Sequence, residues 1–474
     1  MMRTRSLLPA APARRALRAT SALCCAAALI LVLGPGGAAL ADEPAKAPPA
    51  PSEATTSAPA SPAAAPKAAS VSVSQMLRDG AALKALILKK SSLVAAADAR
   101  IAQAQADVGT AHLLPNPSVD MTLGGLVLGD TNPARPHLGF DQTALFDVGV
   151  SEMVELGKRG PRIDAAKSRL ESAKALAQVT TQDAVGDARE ALGRVAYYAA
   201  RSAILEEGAE TARKGATVEK AKLDQGGTSG ADYDRLALEV IALEAEASRG
   251  KTELAGALTS CQALLRTPCD DSGAGEADLN AAADVPAAPS GDTVESRPDI
   301  VAVKKEAEAS RSDAELARAK AIPDPTIRLG YTRDQLAVAG NQSNVLSLSV
   351  TIPLPLFDHG QHDAAKAMAR ATELDHTATA LSAGATSDVA SLRAKTTYLE
   401  KAVATMKKDA VPKAQSVVGV TEKAFAEGQV GLTDLLLARR AYLGLRLSQI
   451  DLAYEHFTAR SSLRRALGLD VLAR

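Results

Sequence analysis

Tryptophan is absent from this 474-residue chain, and aromatic side chains make up only 3% of it. A large compact core ordinarily draws on aromatic area, so the shortage argues against one, whereas closely approaching helices need small side chains along their seams. Neither sign of charge is in excess: 54 basic residues against 55 acidic ones leave a net charge of -1. Nothing in that balance draws the chain to nucleic acid or to an anionic surface. The six histidines are scattered, and no Cys, His and acidic side chains stand at ligand spacing. There is no G-x-S-x-G and no phosphate-cradling glycine loop, so neither catalysis nor a resident metal or other cofactor is expected.

Cysteine is equally sparse. Cys24 and Cys25 lie in the apolar run 22–33, which follows arginines at 3, 5, 14, 15 and 18 and precedes Ala39-Leu40-Ala41. Residues 1–41 therefore read as a signal peptide, since the run is shorter than the ~20 residues a spanning helix needs. That leaves Cys261 and Cys269 in "CQALLRTPCD". In an oxidising compartment two readings stand, a loop-closing disulfide or, for Cys261, a small core residue on an apolar stripe. Residues 42–70 are rich in Pro, Ala and Ser and lack the apolar content to fold, so they form a disordered leader.

What is present is a duplication. "GQVGLTDLLLARRAYLGL" (428–445) lies without a gap over "GGTSGADYDRLALEVIAL" (226–243), 202 positions earlier. Each half opens on a helix-turn-helix pattern ending in Pro-x-Pro, "LLPNP" at 113–117 and "AIPDP" at 321–325, where proline stops a helix and forces extended chain. Strict alternation follows: Ile327, Leu329 and Tyr331 oppose Arg328, Gly330 and Thr332, and Leu346, Leu348 and Val350 oppose Ser347, Ser349 and Thr351. Such a period of two marks strands that separate two environments. A helical pattern of roughly 65 residues, on the order of 100 Å long, then runs to each glycine turn.

The expected fold is α+β, mostly α, built of two tandem repeats, each a β-hairpin plus long coiled-coil helices. The first repeat spans 71–272, with strands near 117–127 and 143–154 and helices near 160–225 and 229–266. A linker, 273–292, leads to the second, 293–474, with strands near 325–334 and 344–354 and helices near 360–427 and 431–467. Leu436, Leu443, Ile450 and Phe457 keep a sevenfold seam on the last helix, and Leu236, Val240, Leu243, Ala247, Leu254 and Cys261 keep its counterpart. Pro412 is expected to kink the second forward helix. Four strands cannot close a barrel for which ~8 is the minimum, so copies must join. Three copies supply twelve strands and two supply eight.

The paired "LLPNP" and "AIPDP", "ELGKRGPR" (155–162), "VTIPLPLFDHG" (350–360) and "VPKAQSVVGVTEKAFAEGQVGLTDLLLAR" (411–439) together resemble the outer membrane factors typified by TolC, in particular their CzcC/CusC-like members. The resemblance covers about 75–470. It implies a homotrimer in outer membrane lipid, a 12-stranded β-barrel continued by a periplasmic α-helical tunnel. It also implies a periplasmic adaptor (membrane fusion protein) and an inner-membrane pump, of RND type, as partners. The glycine turn then becomes the periplasmic tip, with Gly428, Val430, Gly431, Leu432, Thr433 and Gly226 toward the adaptor.

Asp434 and Asp232, just past the turns, have two readings: a carboxylate ring that gates the tunnel by favouring cations, or first-turn acids that compensate the helix dipole. Asp358 reads as the cap of the second long helix, with His359 and His362 solvated beside it. Arg328 and Arg333 are candidates for lumen charge. The rival reading is a periplasmic adaptor or a structural coiled-coil protein of an export complex. An adaptor has one helical hairpin, and a spacer has no use for paired strands.

Overall fold

The structure, a computed structural model, describes residues 70–125, 140–282, 294–335 and 343–469. The signal peptide, nearly all of the leader and the latter part of the expected linker lie outside the described residues. In chain order, β1 (Val71–Ser72), α1 (Val73–Arg78), α2 (Gly80–Lys90) and α3 (Ser92–His112) lead to β2 (Ser118–Gly124), the one-turn α4 (Phe140–Thr143) and β3 (Leu145–Met153). The long pair α5 (Arg159–Asp224) and α6 (Gly230–Leu265) follows. Then β4 (Cys269–Asp270), α7 (Glu276–Ala282) and α8 (Pro298–Ala319) precede β5 (Thr326–Asp334) and β6 (Asn344–Thr351). The second long pair is α9 (Gln361–Thr405), a π-helical turn (Met406–Ala410) and α10 (Val411–Ala426), returning as α11 (Leu432–Ala466).

The two forward rods match in length: α5 has 66 residues, and α9, the π turn and α10 have 45, 5 and 16. The return helices have 36 and 35. Small residues set the seams, as the aromatic shortage implied. On α9 the buried residues Ala364, Ala371, Ala378 and Ala385 recur every seventh position, and α5 buries a longer series of alanines. The heavier side chains collect where α1 to α3 pack across the rods. There Leu83, Ile87 and Val94 join Val185, Leu192 and Val195 of α5, Cys261 and Leu265 of α6, and Ile450 and Phe457 of α11. No helix among the described residues is long and apolar enough to cross a membrane.

Several expectations need correction. Among the described residues the second half opens on one helix, α8, and not on a helix-turn-helix. Part of the expected linker folds as α7, because Leu279 is buried and the buried Asp278 is satisfied by the Ser74 hydroxyl (2.8 Å), Arg78 (2.7 Å) and the Gly275 amide (3.1 Å). At Pro412 the rod continues through a local π turn, Met406–Ala410, into α10. The ring of a proline clashes with the carbonyl four residues back, here Lys408, and the wider π turn carrying that residue makes room. Asp358 accepts from the Gly360 amide at 2.9 Å, but the N-cap of α9 is Gly360 itself, left-handed at φ 80°. Cys261 and Cys269 are joined, which ties the end of α6 to β4, and β4 pairs in parallel with β1.

Among the described residues, two buried side chains of α11, His456 and Ser461, carry polar atoms without a hydrogen-bond partner. Neither ring nitrogen of His456 on α11 has a hydrogen-bond partner. Burial, reinforced by Arg460, pushes its pKa below the ordinary 6.5, while Glu400 opposes. The unfolded chain therefore binds a proton more readily than the folded one, and stability falls as pH drops through 6.5. His456→Leu is expected to flatten this acid limb of a melting-temperature profile between neutral pH and about pH 5.

Candidate functional site

The four long strands form one antiparallel sheet in the order β2-β3-β5-β6. Its register aligns whole rows of like side chains. Val119, Val150, Leu329 and Leu348 stand opposite one another, as do Met121, Val148, Tyr331 and Leu346. Most of these apolar residues are exposed, Leu348 to 72%. Such a face has no protein partner among the described residues, and an exposed apolar patch of this extent marks an interaction surface. The other face carries Asp120, Gly149, Gly330 and Ser347 in one row and Ser118, Ser151, Arg328 and Ser349 in the next.

Arg328 organises that polar face. Its guanidinium donates to Asp120 (2.6 and 3.0 Å) and to Asp147, whose other oxygen accepts from the Thr332 hydroxyl at 2.7 Å. The planar group lies across the paired Gly149 and Gly330, where a Cβ at either position would overlap it. Two carboxylates around one guanidinium leave the cluster with a formal surplus of negative charge. Arg333 has the other parity and stands opposite Phe146 on the apolar side, so only Arg328 serves the polar face.

At the far end of the rods both hairpins reverse through the same turn. Gly226 and Gly428 each adopt φ 73°, and the next amide, of Gly227 or Gln429, returns to Lys222 or Ala424 at 2.8 Å. This is the glycine helix stop in which a left-handed residue lets the chain turn back. Gly431, the second glycine of its turn, is not left-handed. It is extended, at φ -82°, and caps α11 just as Ser229, also at φ -82°, caps α6. The Gly431 amide donates to Asp434 at 3.3 Å, and Asp232 exchanges hydrogen bonds with Ser229 through its amide (3.1 Å) and its carboxylate (2.7 Å). Both acids thus occupy matching places in the first turn. Asp434 is exposed, whereas Asp232 also holds Arg235 at 3.1 Å.

Residues that the sequence did not single out join the helices above this tip, within and between the hairpins. Arg440 of α11 pairs with the buried Glu239 of α6, and Arg439 of α11 reaches Glu422 of α10 at 2.7 Å. Lys222 lies 4.8 Å from the centre of the Phe425 ring. A cavity of about 420 Å³ opens among α5, α6, α10 and α11, with Glu239, Glu422 and both arginines in its wall.

Residues 290–469 match the family described as Outer membrane efflux protein. That match spans the second repeat, α8 to α11. The chain is also similar to the cobalt-zinc-cadmium resistance protein CzcC of Cupriavidus metallidurans, 24% identical over 364 residues that cover 74% of this chain and 84% of the relative. Among solved structures, CusC superposes with a TM-score of 0.67 at 16% identity, over 82% of this chain and 91% of its own. The outer membrane protein VceC of Vibrio cholerae gives 0.65 at 17%, over 82% and 96%. These superpositions cover both repeats and show a shared fold.

Within that fold the tip residues do not form a single outward surface. Gly226, Gly428, Gly431 and Thr433 are exposed and Val430 is partly so, but Leu432 is buried beneath the turn and anchors it. Asp232 and Asp434 belong to different hairpins of the chain. His359 and His362 are exposed, and among the described residues no group of three His, Cys or acidic side chains is placed to hold a metal ion. Alternation could have located Asp120 and Asp147, since both are mid-strand charges in the polar phase. No comparable signal points to Glu239 and Arg440, which have no charged counterparts 202 residues away.

Proposed function

We propose that the chain is the outer-membrane channel of a tripartite efflux system, a passive conduit and not an enzyme. It carries substrate from an inner-membrane pump of RND type, through a periplasmic adaptor, to the exterior. One observation carries this reading: a sheet with an apolar and a charged face whose two outer strands, β2 and β6, have no partners among the described residues. Unpaired backbone groups are forbidden in lipid, so such a sheet must close with copies of itself. With four antiparallel strands in each copy, β6 of one copy can run antiparallel to β2 of the next. Three copies give twelve strands, with the rows through Leu348 toward lipid and Arg328 toward the lumen.

The long rods then form the periplasmic tunnel, and the exposed residues of the two turns face the adaptor. A single-hairpin adaptor has no counterpart for this sheet, and a coiled-coil spacer leaves its apolar face unexplained. The cargo is a heavy-metal cation or a drug; the similarity to CzcC favours the cation. Asp434, exposed in the first turn of α11, supplies the gating carboxylate. Asp434→Ala is expected to raise single-channel conductance and weaken cation preference in planar bilayers. Unchanged conductance with a slightly less stable helix would leave Asp434 as a cap alone.

A further inference from the structure

Arg328 is the one cation that the four described strands present on the polar face of the sheet. It stands on β5, in the second repeat, while the two carboxylates it holds, Asp120 and Asp147, stand on β2 and β3, in the first. The arrangement converges on a single atom. Arg328 Nη2 donates both to Asp120 Oδ2, at 2.6 Å, and to Asp147 Oδ1. Two hydroxyls complete the ring: Ser151 donates to Asp120 Oδ1 at 3.2 Å, and Thr332 donates to Asp147 Oδ2 at 2.7 Å.

Carboxylate and hydroxyl oxygens gathered about a point of positive charge are the ligand set of a hard divalent cation, which holds such oxygens at ~2.3–2.6 Å. The guanidinium stands where that ion would. A divalent ion would cancel both carboxylate charges, whereas the arginine cancels one and leaves the other. A guanidinium also keeps its proton at any working pH, so this internal charge is permanent. Gly149 and Gly330 give it room to lie flat between the two acids, since a Cβ at either position would overlap it.

We infer that Arg328 is a tethered counter-cation that keeps a divalent cation from settling between Asp120 and Asp147, so that the lumen draws cations in without retaining them. The inference rests on the reading of this face as a channel lumen and adds the residue that keeps a cationic cargo moving. Conduction needs sites that attract an ion and still release it. Here the one uncancelled negative charge in each copy attracts, while the oxygens that would hold an ion are already taken. A strap that merely ties the two repeats together would make the same contacts, but its removal would create no cation site.

The test is Mn²⁺ binding to the detergent-purified full chain, read as loss of the free-ion electron paramagnetic resonance signal. Arg328→Ala is expected to bind one Mn²⁺ per chain more than the parent protein. Arg328→Lys, which keeps the charge, and Arg328→Ala combined with Asp120→Asn and Asp147→Asn should both bind no more than the parent. In planar bilayers, Mn²⁺ should block current through the Arg328→Ala channel and spare the parent channel. If Arg328→Ala does not assemble by itself, heat-resistant oligomer is expected to return when millimolar Ca²⁺ is supplied, and its failure to return overturns the inference. Conducting channels that bind no additional Mn²⁺ overturn the inference and leave the channel reading standing. Protein that gains the Mn²⁺ and yet forms no conducting pore, in parent and variant alike, overturns the channel reading and the role in cargo release with it.

Discussion

Leu348→Arg is expected to keep the chain from assembling in the outer membrane. Leu348 ends the apolar row that runs from Val119 through Val150 and Leu329, and it is 72% exposed on that face. An arginine on the lipid face of a barrel costs ~2–4 kcal/mol at the bilayer midplane. Every subunit of a closed ring would bear that cost. Ser347→Arg, one residue away and facing the polar side beside Gly330, is the matched control. The measurement is the fraction of heat-resistant oligomer in the outer membrane fraction. Normal assembly of the Leu348 variant would remove the sheet from the membrane.

Phe457→Ala is expected to cost about 3–5 kcal/mol, the usual range for emptying a buried phenylalanine site. Phe457 is 1% exposed and packs where short helices cross the rods. Its ring lies against Gly193 of α5, where even a Cβ would overlap it, and stacks 6.3 Å from Tyr454. A backbone that close cannot slide inward to fill the space, so the cavity persists. The loss should appear as a lowered midpoint of thermal unfolding followed by helical circular dichroism. An unchanged midpoint would mean that this core is not the principal clasp between the two repeats.

The repeat, the alternation and the turns were legible because each rests on local chemistry. Pro-x-Pro stops a helix wherever it occurs, and a glycine after a long helix signals a left-handed stop. Gly226 and Gly428 both carry that signal and both adopt it. What escaped was decided by tertiary contact. The equivalence of Ser229 and Gly431 is hidden by their side chains, although their backbones have the same φ. Helix α7 reads as linker because its composition is polar, and Leu279 becomes a core residue only when the N-terminal helices lie over it. The Arg440–Glu239 pair joins positions 201 apart, which no local pattern encodes.

Because α5 and its counterpart rod have the same number of residues, both reversals of a chain come to rest at nearly one depth. Copies arranged about an axis would then end in a level rim, against which a capping protein seats without meeting high and low teeth. Adding one helical turn to a single rod, ~5.4 Å, would crenellate that edge while leaving every residue at the loop tips unchanged.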